Sequence, residues 1–288
     1  MPRQAPRLPA RPWHAYARGA GLALSLWLGL SSAAEACRTS PRHWGISNGS
    51  YVAAPGCKGG QFTTCPGQTI SSAWYSHETS RYAHGVLGDA IEYTQLTVHS
   101  SDPLADTCGT KSAQLDDLHV FEDIAPRLVD LDRDQSAEII TVRSHAEKGA
   151  QLAIYADRGG YDLQLVAATP YIGRKNRWLA PAGAADLDGD GYVEIAYVDR
   201  PHLAKTLRIW RYRDGELTEI AALPGLTNHR IGEDFISGGL RDCGTGPELI
   251  LASGDWRRLV SVRFDEGWVT QDLGAYGRDR MVQTMECG

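Results

Sequence analysis

The chain has 288 residues, a formal net charge of −6 and a pI near 5.8. A chain without excess positive charge has no global attraction to nucleic acid or to an anionic membrane surface, and we expect neither as a partner. The counts of 31 glycines and 8 tryptophans against 3 methionines favour a turn-rich β protein over a helical one.

Residues 1–36 are predicted to be a cleaved signal peptide. Basic residues precede an apolar stretch at 19–30, and Ala34 and Ala36 give the small-x-small pattern of a cleavage site after Ala36. About 12 apolar residues are too few for a membrane span, which takes about 20. Lipid attachment at Cys37 is the second alternative. We therefore expect an exported monomer, periplasmic or extracellular, with no membrane span.

All six cysteines follow the predicted cleavage site, which in an oxidising compartment indicates up to three disulfides. Cys243 and Cys287 are the two in the C-terminal half, and the simplest prediction pairs them. The remaining four allow three connectivities, between which the sequence does not choose: Cys37, Cys57, Cys65 and Cys108.

Residues 37–75 are rich in Gly, Ser, Thr, Pro and Cys and are predicted to be an irregular, disulfide-stapled segment. Beyond them, short β-branched and aromatic runs alternate with turn residues, which is typical of strands. The predicted strands lie at 91–98, 138–142, 151–155, 194–198, 207–212 and 248–252.

These runs repeat along the chain. Aligning Glu138 with Glu194 gives a period of 194 − 138 = 56, and a further 54 residues reach Glu248 in a third, more divergent copy. A weaker fourth copy, YAHGVLGDAIEYTQLTV, precedes them. Four-stranded units at this period predict an all-β fold, a β-propeller of about four or five blades over residues 76–288. A β-sandwich is the alternative, but it does not explain the regular period.

The strongest local motif is the acidic loop DLDGDGYVE at 186–194. Gly191 permits a tight turn in which alternate side chains converge. Carboxylates at positions 1, 3, 5 and 9, with the main-chain carbonyl of position 7, supply the oxygen shell that Ca²⁺ prefers. A metal-free acidic turn is the alternative. The predicted ligands are Asp186, Asp188, Asp190, Tyr192 (main chain) and Glu194.

The corresponding loop at 130–138 keeps all four acids, Asp130, Asp132, Asp134 and Glu138. It has Gln135 at the turn position, which would have to adopt a costly left-handed conformation. In the third copy only two of the four positions are acidic, and we expect no metal there because Cys243 supplies a disulfide in its place. Those positions are Leu240, Asp242, Gly244 and Glu248.

The segments DLDGDGYVEIAYVD and DLDRDQSAEIITV resemble FG-GAP, or VCBS-type, repeats of exported bacterial proteins, which are also found in integrin α-subunit propellers. The resemblance covers roughly residues 120–270. It implies a β-propeller with calcium in the loop between the first two strands of a blade, and adds the main-chain oxygen of Ser136 to the ligands of the first loop. Such repeats occur in adhesion proteins and enzyme accessory modules, so the resemblance implies a binding module whose partner the fold does not specify.

The opposite rim of such a propeller would be unusually basic. We interpret it as a binding surface for an anion, such as a sugar acid, a phosphate ester or an acidic polymer. Nearby aromatic residues, among them Tyr82 and Trp178, would stack on a sugar or fill the central channel. The alternative is that these are solvated turn residues paired with neighbouring acids. The candidate residues are Arg81, His84, His145, Arg177, His202, His229 and Arg230.

No catalytic motif is present: the chain has no His-Glu-x-x-His, no Gly-x-Ser-x-Gly and no phosphate-cradling Gly loop. The sequence therefore predicts a calcium-binding interaction module with no catalytic residues, whose partner is a protein or an anionic carbohydrate or phosphate ligand. The alternative is a periplasmic hydrolase or lyase that uses His145 or His202 as a general base. A third class is a scaffolding module with a flat, apolar docking rim.

Overall fold

The computed structural model describes residues 52–53, 70–102 and 107–288. Strands and one short helix make up the regular structure of this part of the chain, so the prediction of an all-β fold is confirmed. No helix within these residues is long and apolar enough to span a bilayer. The predicted signal peptide, Cys37, Cys57, Cys65 and the side chain of Cys108 lie outside the described residues.

The strands follow the repeats in chain order. The N-terminal strands are β1 (Val52–Ala53), β2 (Ile70–Thr79), β3 (Glu92–Asp102), β4 (Thr107–Gln114) and β5 (His119–Phe121). The first repeat contains β6 (Arg127–Val129), β7 (Glu138–His145), β8 (Gly149–Ala156) and β9 (Gln164–Ala168). The second contains β10 (Leu179–Ala185), β11 (Val193–Asp199), β12 (Thr206–Arg213) and β13 (Glu216–Pro224). The third contains β14 (Leu226–Thr227), β15 (Gly239–Asp242), β16 (Pro247–Ser253), β17 (Arg258–Phe264) and β18 (Trp268–Ala275), followed by helix α1 (Arg278–Met285).

Each repeat contains a run of four consecutive antiparallel strands, and the third repeat has the short strand β14 in addition. The second repeat is a separate four-stranded sheet, and the third is a five-stranded sheet in which β14 and β15 both pair with β16. The first repeat belongs to a nine-stranded sheet, because β5 pairs with both β3 and β7. The first strand of the second repeat is continuous but carries a bulge between Pro181 and Gly183.

The repeat sheets pack face to face in chain order. Strand β11 alternates between two cores: Ile195 and Tyr197 pack with the first repeat, while Ala196 and Val198 pack with the third. All seven residues of β11 are buried, and its sequence is accordingly almost continuously apolar. Because successive side chains of a strand point to opposite faces, the sheet of the second repeat packs against the first repeat on one face and the third repeat on the other.

Other elements cover the two ends of this stack. Tyr75 of β2 and Phe121 of β5 pack with Ile139 on the outer face of the first repeat. At the other end, Met281 of α1 packs on Ile250 and Leu259 of the third repeat.

A disulfide links the segment just beyond α1 to the third repeat. Cys287 is disulfide-bonded to Cys243 with a Cα–Cα distance of 5.6 Å, which confirms the predicted pairing. The disulfide therefore holds the helix against the last sheet.

All six predicted strands are present, with ends displaced by at most four residues. The predicted irregular segment ends too late, because β2 begins at Ile70 and buries Ile70, Ala73 and Tyr75. A register shift between Ile70 and Ser72 breaks the alternation that marks a strand. The weak fourth copy is correct only in part: β3 is a strand, but residues 80–91 before it form a loop.

Candidate metal centres

Each acidic loop connects the first two strands of its repeat at the same end of the sheet. Residues 130–137 join β6 to β7, and residues 186–192 join β10 to β11. Glu138 is the first residue of β7 and Glu194 the second residue of β11; they are 1% and 0% exposed, so each anchors its loop from the buried side. The nine-residue motifs 130–138 and 186–194 occupy equivalent positions, which allows a direct comparison of their hydrogen bonds.

The second loop folds around its own carboxylates. The buried Glu194 carboxylate accepts from the amide of Leu187, and the other three acids accept from amides within the turn. The bonds are Leu187 N to Glu194 Oε2 (2.8 Å), Asp190 N to Asp188 Oδ1 (3.3 Å), Gly191 N to Asp186 Oδ2 (3.1 Å) and Tyr192 N to Asp190 Oδ1 (2.9 Å).

The first loop repeats this frame position by position, although its sequence differs at four of the nine positions. Its bonds are Leu131 N to Glu138 Oε2 (2.9 Å), Asp134 N to Asp132 Oδ1 (3.3 Å), Gln135 N to Asp130 Oδ2 (3.1 Å) and Ser136 N to Asp134 Oδ1 (2.7 Å). The two loops share the acids at positions 1, 3, 5 and 9 and the leucine at position 2, and with these residues in common they adopt one loop geometry.

Three carboxylates converge in each loop. One oxygen from each of Asp186, Asp188 and Glu194 lies within 4.8 Å of the others, and Asp130, Asp132 and Glu138 form the same group. The position-5 acids, Asp190 and Asp134, are exposed.

The first acid of each loop also leaves one oxygen without a partner. Oδ1 of Asp130 and Oδ1 of Asp186 are buried and accept no hydrogen bond from any residue that the structure describes. A buried acceptor without a partner costs free energy, and a bound cation would satisfy it.

Two residues in each loop have left-handed backbones. At position 6, Gly191 has φ 96° and Gln135 has φ 71°, so the predicted cost at Gln135 is present. At position 4, Gly189 has φ 76° and Arg133 has φ 62°. The left-handed backbone at position 4 was not predicted, although the glycine at that position of the second loop, Gly189, is a signal for it.

Arginines lie against the carboxylates of both loops, and no motif in the sequence signals these contacts. Arg211 on β12 donates from Nε to Glu194 Oε1 at 2.8 Å, contacts Asp188, and lies 3.0 Å from Asp190 Oδ2. In the first loop Arg158 stands farther away, with its closest nitrogen 3.5 Å from Asp132 Oδ2. The second loop is therefore more strongly compensated by the protein's own cation than the first.

Arg133 links the two loops. Its Nη2 lies 3.0 Å from Oδ2 of Asp186, so a residue of the first loop binds the first acid of the second.

The buried glutamates have raised pKa values. Burial raises the pKa of Glu138 to about 7, and Asp132 and Asp134 add to the rise, while the Leu131 amide and Arg158 oppose it. Burial also raises the pKa of Glu194, against the hydrogen bonds from Arg211 and Leu187. A divalent cation would lower both pKa values because it favours the charged carboxylates.

The third loop has a different arrangement. Asp242 accepts from the amides of Gly244 and Gly246, and Glu248 is bound by Arg241 at 2.7 Å. Leu240, at the position of the first acid, packs against the apolar core between the second and third repeats. Cys243 forms the disulfide in this loop.

The basic residues predicted for the opposite rim are divided among several contacts. His84 Nδ1 lies 2.5 Å from Oε1 of the buried Glu122, and His202 Nε2 lies 3.0 Å from His229 Nδ1. His145 makes a different contact: its ring packs on the ring of His119, with the ring centroids 4.9 Å apart. Sequence reasoning missed Glu122, whose surroundings give no local motif.

The arginines predicted for this rim also make different kinds of contact. Arg81 lies 3.4 Å from Asp117 and donates to two carbonyls, Arg230 lies over the ring of Trp256 at 4.3 Å, and Arg177 donates to the carbonyl of Asn176. The predicted pairing with neighbouring acids therefore holds for some of these residues and not for others.

Comparisons of the chain with protein-family models and with curated proteins each found no match. The described residues form an all-β structure of several antiparallel sheets, with two groups of carboxylates that could hold a metal ion.

Proposed function

We propose that this protein is an exported calcium-binding module built from FG-GAP-type repeats, in which calcium fixes the first turn of two blades. The observation that supports the proposal best is the matched pair of buried oxygens, Oδ1 of Asp130 and Oδ1 of Asp186, that lack hydrogen-bond partners. They occupy the same position in two loops with the same hydrogen-bond frame.

The donor chemistry favours calcium over softer metals. All side-chain donors in both loops are carboxylate oxygens, and neither histidine nor cysteine contributes, which argues against zinc. The ligand set would be Asp186, Asp188, Asp190, Tyr192 (main chain) and Glu194 in the second loop. In the first loop it would be Asp130, Asp132, Asp134, Ser136 (main chain) and Glu138.

The sheet stack supports propeller-type blades. Each repeat supplies four consecutive antiparallel strands, and β11 contributes to the cores on both sides of its sheet. Such a blade buries both faces only through its neighbours. Calcium would tie the first strand of each blade to the second and hold the glutamate of the second strand in its charged form. The Cys243–Cys287 disulfide favours an oxidising compartment and supports export.

The test is a thermal melt in EDTA and after calcium is restored. A cation bound only by the folded protein stabilises it by about 2.7 kcal/mol per site at a free concentration a hundredfold above its Kd. That corresponds to a rise in Tm of about 5–10 °C for a domain of this size. Asp188→Ala and Asp132→Ala should each remove one calcium site, so that the rise in Tm on adding calcium is smaller by the contribution of that site.

Asp214→Ala is the matched control, because this acid lies in the β12–β13 turn, is 87% exposed, and among the described residues forms an ion pair only with Arg213. It should keep the full response to calcium. Equal melting temperatures in EDTA and calcium for the unaltered protein would overturn the proposal.

A further inference from the structure

Within the described residues, the rim at the other end of the sheets carries several cations that form no ion pair with a carboxylate. We call this surface the histidine rim and define it as residues 80–91, 146–148, 169–178, 200–205, 225–238 and 254–257. Strand β11 has seven residues, so its two ends lie roughly 20 Å apart, and the histidine rim is distinct from the acidic loops.

Main-chain hydrogen bonds join these loops into one surface. Gly173 N donates to Lys148 O at 2.8 Å, and Asn176 N donates to the Tyr82 hydroxyl at 2.9 Å. Arg200 N donates to Trp178 O at 3.0 Å. The amides of Leu226, Gly232 and Gly254 connect the remaining loops by bonds to Lys205 O, Val86 O and Gly225 O.

Some acids at or beside the rim are paired with arginines, and several of the rim's cations have no acidic partner among the described residues. Asp199 binds Arg200 at 2.8 Å, and Glu233 lies 3.7 Å from Arg278. Within the described part of the chain, the following rim residues form no ion pair with a carboxylate: Lys148, Arg174, Lys175, Arg177, Lys205 and Arg230. In a chain of net charge −6, the rim as defined holds nine Lys and Arg against five Asp and Glu, so this surface has a net positive charge.

Two histidine pairs lie within this surface and are joined by Trp178. The Trp178 indole donates to the carbonyl of Glu122 at 2.8 Å, and its ring packs on His229 with centroids 4.8 Å apart. Glu122 binds His84, while His229 binds His202. His229 and Glu122 are fully buried, whereas the His84 side chain is 17% exposed. Buried groups therefore fix the orientation of the outer imidazoles, and the bond through Nδ1 leaves Nε2 of His84 facing away from Glu122.

His202 lies among other histidines and Lys205. Burial is the largest cause that lowers its pKa to about 4; His229, His84 and Lys205 contribute to the same shift, and a hydrogen bond with His229 opposes it. The buried Glu122 carboxylate nearby is already paired with His84, so the unpaired cations of the rim remain available to an oxyanion.

The backbone of the rim is strained at several residues that are not glycine. Asn176, Arg200, Lys205 and Trp256 have φ values of 53°, 45°, 49° and 61°. For Trp in particular such a conformation is a true outlier. Strain of this kind is typical of functional sites, where the surrounding structure holds side chains in fixed positions.

We propose that the histidine rim binds a small oxyanion, a phosphate or sulfate group, between the His84–Glu122 pair and the His202–His229 pair, with Arg177 and Lys205 supplying the positive charge. Planar guanidinium and ammonium groups donate to phosphate oxygens in charge-assisted hydrogen bonds. The ligand is a free oxyanion or the ester of a larger molecule, since both present the same oxygens.

The test is isothermal titration calorimetry of the full chain in calcium buffer, with sulfate, glucose 6-phosphate and neutral glucose. We expect the two anions to bind and glucose not to. Tighter binding of glucose 6-phosphate would identify an ester as the ligand, and equal binding a free oxyanion. Arg177→Gln should weaken binding about tenfold or more, the effect of losing one charged hydrogen bond.

Arg280→Gln is the matched control. Arg280 also has no acidic partner within the described residues, but it lies on α1 and donates to the Leu273 carbonyl. Long-range imidazole ¹H–¹⁵N spectra give a second readout, in which ligand should shift the ring signals of His84 and His202. The proposal fails if neither anion binds at millimolar concentration, or if the two arginine variants bind equally well.

Discussion

Arg211 and Glu194 lie directly opposite each other on β12 and β11, and the guanidinium Nε donates to the Glu194 carboxylate at 2.8 Å. The same guanidinium also contacts Asp188 and Asp190. One side chain therefore holds three of the four carboxylates that would bind calcium. In this arrangement a built-in cation and a metal ion compete for the same oxygens.

We expect Arg211→Gln to bind calcium several-fold more tightly at the second loop, because no guanidinium then has to be displaced. Without calcium the same variant should be less stable than the unaltered protein, since the buried Glu194 loses its charged partner. Calcium titration followed by calorimetry measures the first effect, and urea denaturation in EDTA measures the second.

Arg258→Gln is the control for charge, because Arg258 forms an ion pair with Asp272 in which both side chains are about half exposed. It should change neither quantity appreciably. An Arg211→Gln variant with weaker calcium binding would show that the guanidinium supports the metal site.

A second prediction concerns the left-handed turn position. Gln135→Gly should stabilise the protein by up to about 1 kcal/mol, because glycine adopts positive φ without the steric cost of a Cβ. Gly191→Ala, at the same position of the second loop, should destabilise by about 1–2 kcal/mol. Urea denaturation of both variants is the measurement, and changes of the same sign would contradict this explanation.

The disulfide should contribute to the stability of the C-terminal cap. Replacing both Cys243 and Cys287 by serine should lower the free energy of unfolding by about 2–4 kcal/mol. It should also increase cleavage of the segment at α1, because the bond restrains the helix over Ile250 and Leu259. Limited proteolysis with mass spectrometry detects the cut. Equal proteolysis of the variant and the unaltered protein would show that packing alone holds the helix.

Stability should fall in acid partly because of His202. Its pKa is about 4 in the folded protein against an ordinary value of 6.5, so between these values the unfolded chain binds more protons. Stability then rises with pH in this window and is lost as pH falls from 6.5 to 4. His202→Gln should flatten the pH dependence of urea denaturation between pH 4 and 6.5, whereas an unchanged slope would assign the effect to other groups.

The acidic loops could be located from the sequence because their information is local. The position of each acid in the loop determines which backbone amide donates a hydrogen bond to it. Asp130 and Asp186 therefore accept equivalent hydrogen bonds although the two loop sequences differ. The strands were predictable for the same reason, since alternation and β-branched content are short-range signals. Strand β2 was missed where a bulge at Ile70 interrupts that alternation.

The partners of these groups were not predictable. Arg211 reaches the second loop only because β12 pairs with β11 in one register, and Glu122 meets His84 from 38 residues away. Neither contact has a signature in the neighbouring sequence.

The sequence by itself determined the all-β class, the period of the repeats and the two acidic turns, because turn geometry and strand alternation depend on nearby residues. The Cys243–Cys287 pair was predictable for a different reason, since these are the two cysteines of the C-terminal half. The tertiary structure decided which cations lie against the carboxylates and which histidines share a buried network. It also decided which cations of the histidine rim have no acidic partner. These depend on strand register and on the stacking of sheets, which bring together residues that are distant in the chain.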